Sequence, residues 1–136
     1  FPSGDKPGGA PMNVAYHLSN LGTSVALISC IGKDKMGEEL MSFMNHIQVD
    51  TSLVQVHDKL PTGTVQVDDS NKTEASYNIV ENVAWDAIQV PADFVNIDSV
   101  EYLIHGSLAL RSRINQNSLD QLKKRLNVKV VFDLNL

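Results

Sequence analysis

Short apolar runs rich in β-branched residues alternate along this chain with segments of helical periodicity. The apolar runs predict strands at residues 24–31, 101–105 and 128–134, and the periodic segments predict helices at 34–47 and 114–126. Strands that alternate with helices predict an α/β fold, in which a mostly parallel sheet carries helices on both faces. Ligands of such sheets bind beyond the carboxyl ends of the strands.

A glycine pair leads directly into another predicted helix at the sequence GGAPMNVA, residues 8–15. Gly8 and Gly9 have no Cβ to hold a ligand away from the backbone, and Pro11 has the φ suited to a first helical position. Asn13 falls in the first turn, where its amide can donate and accept hydrogen bonds and where backbone N–H groups lack partners. This junction suits the hydroxyls of a bound ligand. It also suits a plain strand-to-helix connector with Asn13 as a local cap.

Two further residues mark helix boundaries. Gly22 follows the apolar positions of the first helix and is expected to end it. Asp34 comes directly before the second helix, whose apolar residues share one face, and its carboxylate is interpreted as the N-cap.

The middle of the chain departs from this alternation. Two short runs at 63–68 and 74–80 have partial apolar–polar alternation, and the sequence DSNK at 69–72 between them is typical of a turn. These features predict a β-hairpin. The pattern leaves open whether the hairpin extends the edge of the main sheet or forms a separate flap.

Charge and composition argue against several classes of function. The net charge is −5 and the basic residues cluster only at 123–125, which argues against a nucleic-acid surface. No apolar run approaches the length of a membrane span. The four histidines lack the spacing of a metal site, and the P-loop pattern is absent. The single cysteine, Cys30, lies in a predicted strand and suits a reducing cytosol.

Several motifs follow one another in the order of a known family. They are GGAPMNVAYHLSNLG at 8–22, VALISCIGKDKMG at 25–37, QVDTS at 48–52, PTGT at 61–64, IHGSLAL at 104–110 and FDLNL at 132–136. This set resembles the ribokinase-like (PfkB) family of carbohydrate kinases over nearly the whole chain. Two stretches, NIVENVAWD at 78–86 and HGSLALR at 105–111, are similar to its fructokinase branch.

The resemblance implies a kinase that transfers the γ-phosphoryl group of ATP to a hydroxymethyl oxygen of fructose or a related sugar. Gly8, Gly9 and Asn13 would hold sugar hydroxyls, and residues 57–83 would form a β lid over the sugar. Tyr77 would cover the apolar face of the sugar with its ring, unless it is only a cross-strand packing partner. Lids of two subunits often pair in this family, so a homodimer through the lid is implied.

The resemblance also implies that residues 1–136 are part of a domain, its sugar-binding half. The catalytic aspartate of the family lies in a Gly-Ala-Gly-Asp motif that this sequence lacks, and the ATP-binding half is expected beyond Leu136. The resemblance implies ATP and Mg²⁺ as cofactors of the complete enzyme, which is expected in the cytoplasm. It also places Asn135 near the nucleotide phosphates and Mg²⁺, unless this residue is only a turn former at the end of its strand. Two alternatives stay open: an inactive sugar-binding, regulatory or oligomerisation module, and a ribose or nucleoside kinase of the same family.

Overall fold

A computed structural model describes residues 6–68, 76–91 and 100–134. Within these ranges the helices are α1 (Ala10–Asn20), α2 (Lys35–His46) and α3 (Arg113–Arg125), and the strands are β1 (Ser29–Gly32), β2 (Val54–His57), β3 (Val65–Asp68), β4 (Ser76–Ile79), β5 (Tyr102–Gly106) and β6 (Lys129–Asp133). Short 3-10 helices span Ala84–Ala87 and Leu108–Arg111.

Two β-α-β units carry the parallel pairing. In the first, α2 connects β1 to β2, with Ser29 opposite Val54. In the second, α3 connects β5 to β6, with Gly106 opposite Asp133. The predicted α/β class is confirmed, because a parallel strand pair needs a crossover connection of this kind.

The core shows why helices cover both faces of the strands. Leu27 packs in a cluster with residues of α1 and α2, whereas its neighbour Ile28 packs against a second cluster that includes Leu122 of α3. Likewise Val54 packs against the cluster that contains Leu27, whereas its neighbour Leu53 belongs to the cluster that contains Leu122. Consecutive residues of extended chain point to opposite faces, so α1 and α2 lie on one side and α3 on the other.

The first parallel pair differs from the sequence prediction. The strand predicted at 24–31 begins only at Ser29, and before it Ala26 makes an isolated bridge to Asp50. The segment before Ser29 is apolar because Leu27 is buried, not because it forms a continuous ladder. The sequence does not predict β2, because its four residues are of intermediate or exposed character and give little periodic signal.

Both helix boundaries marked by the sequence are confirmed. Gly22 has a φ of 79°, its N–H donates to the carbonyl of Ser19 at 2.9 Å, and Thr23 N–H donates to the carbonyl of Leu18 at 3.0 Å. These two bonds form a Schellman motif that ends α1. Asp34 caps α2 by accepting from the Gly37 N–H at 2.8 Å.

The two runs predicted to form a hairpin pair as antiparallel strands, whereas the turn predicted at 69–72 lies outside the described residues. Val65 of β3 lies opposite Ile79 of β4, and the pair closes at its base where Val80 N–H donates to the carbonyl of Thr64 at 3.3 Å. In the part of the chain that the structure describes, no helix has the length and apolarity needed to cross a bilayer.

Gly63 at the entrance to β3 provides a stability test. A Cβ at this position would overlap the indole of Trp85 and would lie 3.1 Å from Cγ2 of Val83. We expect Gly63→Ala to lower the free energy of unfolding by about 1–3 kcal/mol, the usual penalty of overpacking, as measured by urea denaturation. The control is Gly8→Ala, where a Cβ meets nothing within 4 Å, and its effect should stay below about 0.5 kcal/mol. Equal losses in both variants would contradict this packing argument.

Candidate functional site

The start of α1 is open to solvent. Gly9 is the N-cap with a φ of 124°, a conformation that L side chains rarely adopt, and no side chain caps the helix. Gly8 also is exposed, yet its φ is not in the left-handed region and a Cβ there would meet nothing within 4 Å. The fold therefore explains the glycine at position 9 but gives no structural reason for the one at position 8.

Asn13 lies in the first turn of α1. Its backbone N–H donates to the carbonyl of Gly9 at 3.0 Å, so the structure brings the two predicted site residues together. The Asn13 side chain is exposed, and its amide makes no hydrogen bond to any described residue. The local-cap interpretation is therefore wrong, and the amide is left available to a ligand.

Asp34 and Thr62 form a hydrogen-bonded cluster at the carboxyl end of β1. Asp34 accepts hydrogen bonds from the Thr62 N–H at 2.8 Å and from the Thr62 hydroxyl at 2.7 Å, in addition to the Gly37 N–H. The Thr62 hydroxyl in turn accepts from the Gly32 N–H at 2.9 Å. Burial acts to raise the pKa of Asp34, but these hydrogen bonds outweigh it and hold the pKa below its usual value.

This arrangement gives a packing role to Gly32 and Gly37, the two glycines that flank Asp34 in the motif at 25–37. A Cβ on Gly32 would lie 2.5 Å from the Thr62 backbone nitrogen and 2.7 Å from the carbonyl oxygen of Leu60. A Cβ on Gly37 would collide with the carbonyl oxygen of Gly32. The two glycines let β1, α2 and the loop before the hairpin approach one another closely.

Tyr77 makes no contact with the α1 site in the part of the chain that the structure describes. Tyr77 lies in β4 with its side chain 66% exposed, opposite Val67 in the backbone register. Across the described ranges no hydrogen bond or ring contact links Tyr77 to the start of α1. Asn135 lies outside the described residues.

The structure contains an ion pair between Arg111 and Asp86 at the base of the hairpin, which the sequence does not predict. Arg111 donates from Nε to one oxygen of Asp86 at 2.7 Å and from Nη2 to the other at 2.8 Å. Nη2 also donates to the carbonyl of Val80 at 2.7 Å, and the guanidinium carbon lies 4.1 Å from the Trp85 ring centre. Both partners occur in motifs noted above, but nothing in a single sequence joins residues 25 positions apart.

Hydrogen bonding shifts the pKa of both partners away from neutrality. The bonds to Asp86 raise the pKa of Arg111. Burial acts to raise the pKa of Asp86, but the hydrogen bonds from Arg111 and from the Val83 N–H, together with the attraction of the guanidinium, lower it overall. The pair is therefore fully ionised at neutral pH and half-buried, with 23% of the arginine and 14% of the aspartate side chain exposed.

Among the described side chains, no three from His, Cys, Asp and Glu converge as they would around a metal ion. An open cleft of about 500 Å³ lies between the start of α2 and the base of the hairpin. Asp34 and Thr62 line it, but their polar atoms already bond to each other and to backbone.

Comparison with known proteins defines the class of this fold as a ribokinase-like α/β domain. The model of the pfkB family of carbohydrate kinases matches residues 4–136, so the chain belongs to that family. It is 31% identical over 135 residues to PH1459 of Pyrococcus horikoshii, which is described as an uncharacterized sugar kinase and whose crystal structure superimposes with a TM-score of 0.86 over 96% of this chain. It is 29% identical over 112 residues, or 82% of this chain, to a fructokinase of Salmonella typhimurium.

A solved fructokinase of Vibrio cholerae O395 in a form with bound fructose, ADP and calcium ion has a TM-score of 0.78 and 26% identity over 95% of this chain. In each comparison the chain spans less than half of the relative. It covers 43% of PH1459, 36% of the Salmonella fructokinase and 43% of the solved Vibrio chain.

The Asp34 carboxylate predicts a pH dependence of stability. Its pKa is lower folded than unfolded, so its stabilisation is complete above the unfolded value of about 3.9 and is lost as the pH falls through the lower folded pKa. In Asp34→Asn an amide N–H₂ replaces an accepting oxygen, so we expect a loss of about 1–3 kcal/mol at pH 7. The difference from wild type should shrink as urea denaturation is repeated at decreasing pH from about 5.

The control for this experiment is Asp58→Asn. Asp58 is exposed, and its ion pair with Lys33 spans 3.9 Å between side chains that are 83% and 74% exposed. Its loss should change stability by less than about 1 kcal/mol. A difference between Asp34→Asn and wild type that stays constant down to the acid limit would contradict the assignment.

Proposed function

We propose that this chain is the sugar-binding half of an ATP-dependent sugar kinase with fructose or a related sugar as acceptor. The whole enzyme would transfer the γ-phosphoryl group of ATP to a hydroxymethyl oxygen of the sugar. The observation that carries the proposal is the start of α1. There Gly8 has no structural reason to be glycine, and the exposed Asn13 amide has no partner in the described chain.

The chemistry of this turn suits a polyol. Sugar hydroxyls donate and accept at once, and so does the Asn13 amide. The first N–H groups of a helix lack intrahelical acceptors, and α1 has neither a side-chain cap nor an acidic residue in its first turn. Glycine at positions 8 and 9 lets a ligand oxygen reach the backbone without meeting a Cβ.

Relatives support the sugar class and favour fructose. The Salmonella relative is named a fructokinase, and the solved Vibrio fructokinase has fructose and ADP bound. The solved PH1459 protein also has a complex with ATP. These ligands belong to those proteins, and the preference for fructose in this one is our proposal.

The remaining parts of the enzyme follow from the same proposal. ATP and Mg²⁺ would supply the phosphoryl group and its charge neutralisation, with Asn135 as a candidate residue near the phosphates. No catalytic residue is assigned within 1–136. Residues 57–83 would form the lid, which could also pair two subunits, and the protein would act in the cytoplasm.

Asn13→Ala tests the sugar site. We expect the KM for fructose to rise about 3- to 10-fold, because one or two uncharged hydrogen bonds to hydroxyls are lost, with the KM for ATP unchanged. The matched control is Asn20→Ala, which removes an exposed asparagine at the other end of the same helix and should change neither constant.

The same assay distinguishes the alternatives. A fructose KM that is equal in wild type and Asn13→Ala would remove Asn13 from the site. Among fructose, ribose and adenosine, preferred phosphorylation of adenosine would identify a nucleoside kinase. Sugar binding by calorimetry without any phosphorylation would favour the inactive binding module.

Tyr77 tests the lid. If its ring covers the sugar and excludes water, Tyr77→Ala should raise the KM for fructose about tenfold and increase ATP hydrolysis without sugar phosphorylation. Tyr77→Phe keeps the ring and should retain coupling, since only the hydroxyl is lost. If Tyr77→Ala behaves like Tyr77→Phe in both assays, the ring serves only cross-strand packing.

A further inference from the structure

We propose that Arg111 is a positioning residue that anchors the base of the hairpin β3–β4 to the turn after β5, and so holds the hairpin in one orientation relative to the α1 site. The effect on sugar binding rests on the function proposed above. The anchoring itself rests only on the contacts of the described residues.

The hairpin depends on its base for its orientation. β3 and β4 pair with each other over four residues, but neither packs extensively against any other described helix or strand. A two-stranded hairpin held in this way is marginal by itself. Whatever fixes the two chain segments at its base therefore fixes its direction.

The segment entering β3 is held by the 3-10 helix Ala84–Ala87. Ala84 N–H donates to the carbonyl of Pro61 at 2.8 Å, and Gly63 packs against the Trp85 indole closely enough to leave no room for a Cβ. This holds the entry segment to the 3-10 helix that follows β4 in the chain.

The segment leaving β4 is held by Arg111. The guanidinium donates to the carbonyl of Val80, which is the first residue after β4, and also donates to both carboxylate oxygens of Asp86. It also stacks on Trp85, the residue that meets Gly63. One side chain thus touches the exit segment directly and the entry segment through the indole.

The other end of this anchor is held by hydrogen bonds from α3. Arg111 ends the 3-10 helix that follows β5, and the buried Asn115 of α3 donates to the carbonyls of Ala109 and Trp85 at 2.8 and 2.7 Å. The arginine therefore ties the hairpin to the carboxyl end of a parallel strand, the edge at which α/β sheets bind ligands.

Only arginine can make this set of contacts. Its planar fork donates two parallel bonds to a carboxylate and still presents an N–H to a carbonyl, whereas a lysine ammonium is a point charge on a flexible stem. Arg111→Lys therefore keeps the charge and removes the geometry. The matched control is Arg113→Lys, an exposed arginine two residues further along the chain.

The first measurement needs no ligand. Hydrogen–deuterium exchange of the whole protein should show the β3 and β4 amides exchanging about tenfold faster in Arg111→Lys, as expected when a charge-assisted hydrogen bond is lost. The β1–β2 amides should be unchanged, and Arg113→Lys should match wild type throughout. Unchanged exchange in the hairpin, or an equal rise in β1–β2, would overturn the anchor.

The second measurement tests the consequence for the site. Arg111→Lys should raise the KM for fructose at least about threefold while leaving the KM for ATP within about twofold. Faster hairpin exchange with an unchanged fructose KM would overturn the positioning role. If the wild-type protein neither binds nor phosphorylates fructose, the proposed function fails, and the exchange comparison still decides the anchor.

A second variant keeps the test decisive if Arg111→Lys does not fold. Asp86→Asn preserves the shape of the side chain and the bond from Arg111 to the Val80 carbonyl, but removes the charge of the pair. It should give a smaller rise in exchange, confined to the same strands. A rise spread over the whole chain would show that the pair supports the fold in general and not the hairpin.

Discussion

The Asp34 carboxylate joins the end of β1 and the start of α2 to Thr62, which lies 28 positions further along the chain. It caps α2, accepts two hydrogen bonds from Thr62, and through the Thr62 hydroxyl reaches the N–H of Gly32 at the end of β1. Buried backbone groups need partners, and here one charged side chain and one hydroxyl satisfy those left over where a strand, a helix and a loop meet. The first β-α-β unit and the entrance to the hairpin are both placed by this contact.

The Arg111–Asp86 ion pair holds the exit segment of the hairpin, as Asp34 holds its entrance. Both anchors use an ionised group to satisfy backbone groups from distant segments, and both place glycine where the approach is too close for a Cβ. The difference lies in what they hold. Asp34 ties the hairpin entrance to β1, whereas Arg111 ties its exit to the turn after β5. The hairpin base is therefore held by both parallel units.

The candidate site is simpler than these anchors. It is an exposed helix start with two glycines and an unpartnered amide, and its residues are within six positions of one another. Local chemistry of this kind can be predicted from sequence, because the turn, the helix start and the amide are set by neighbouring residues. The proposed contribution of the hairpin cannot be predicted in this way, since Tyr77 comes from a segment whose orientation depends on distant contacts.

Local rules account for what the amino-acid sequence determined by itself. Apolar periodicity, the Asp34 cap and the Gly22 terminator fixed α1, α2 and α3, and the alternation of elements fixed the α/β class. The tertiary structure alone decided where β1 begins, that β2 exists, and that Arg111 reaches Asp86 and Val80. Helix signals are carried by residues three or four apart, whereas the pairing of β1 with β2 and the Arg111–Asp86 ion pair join residues 25 positions apart, which no local pattern encodes.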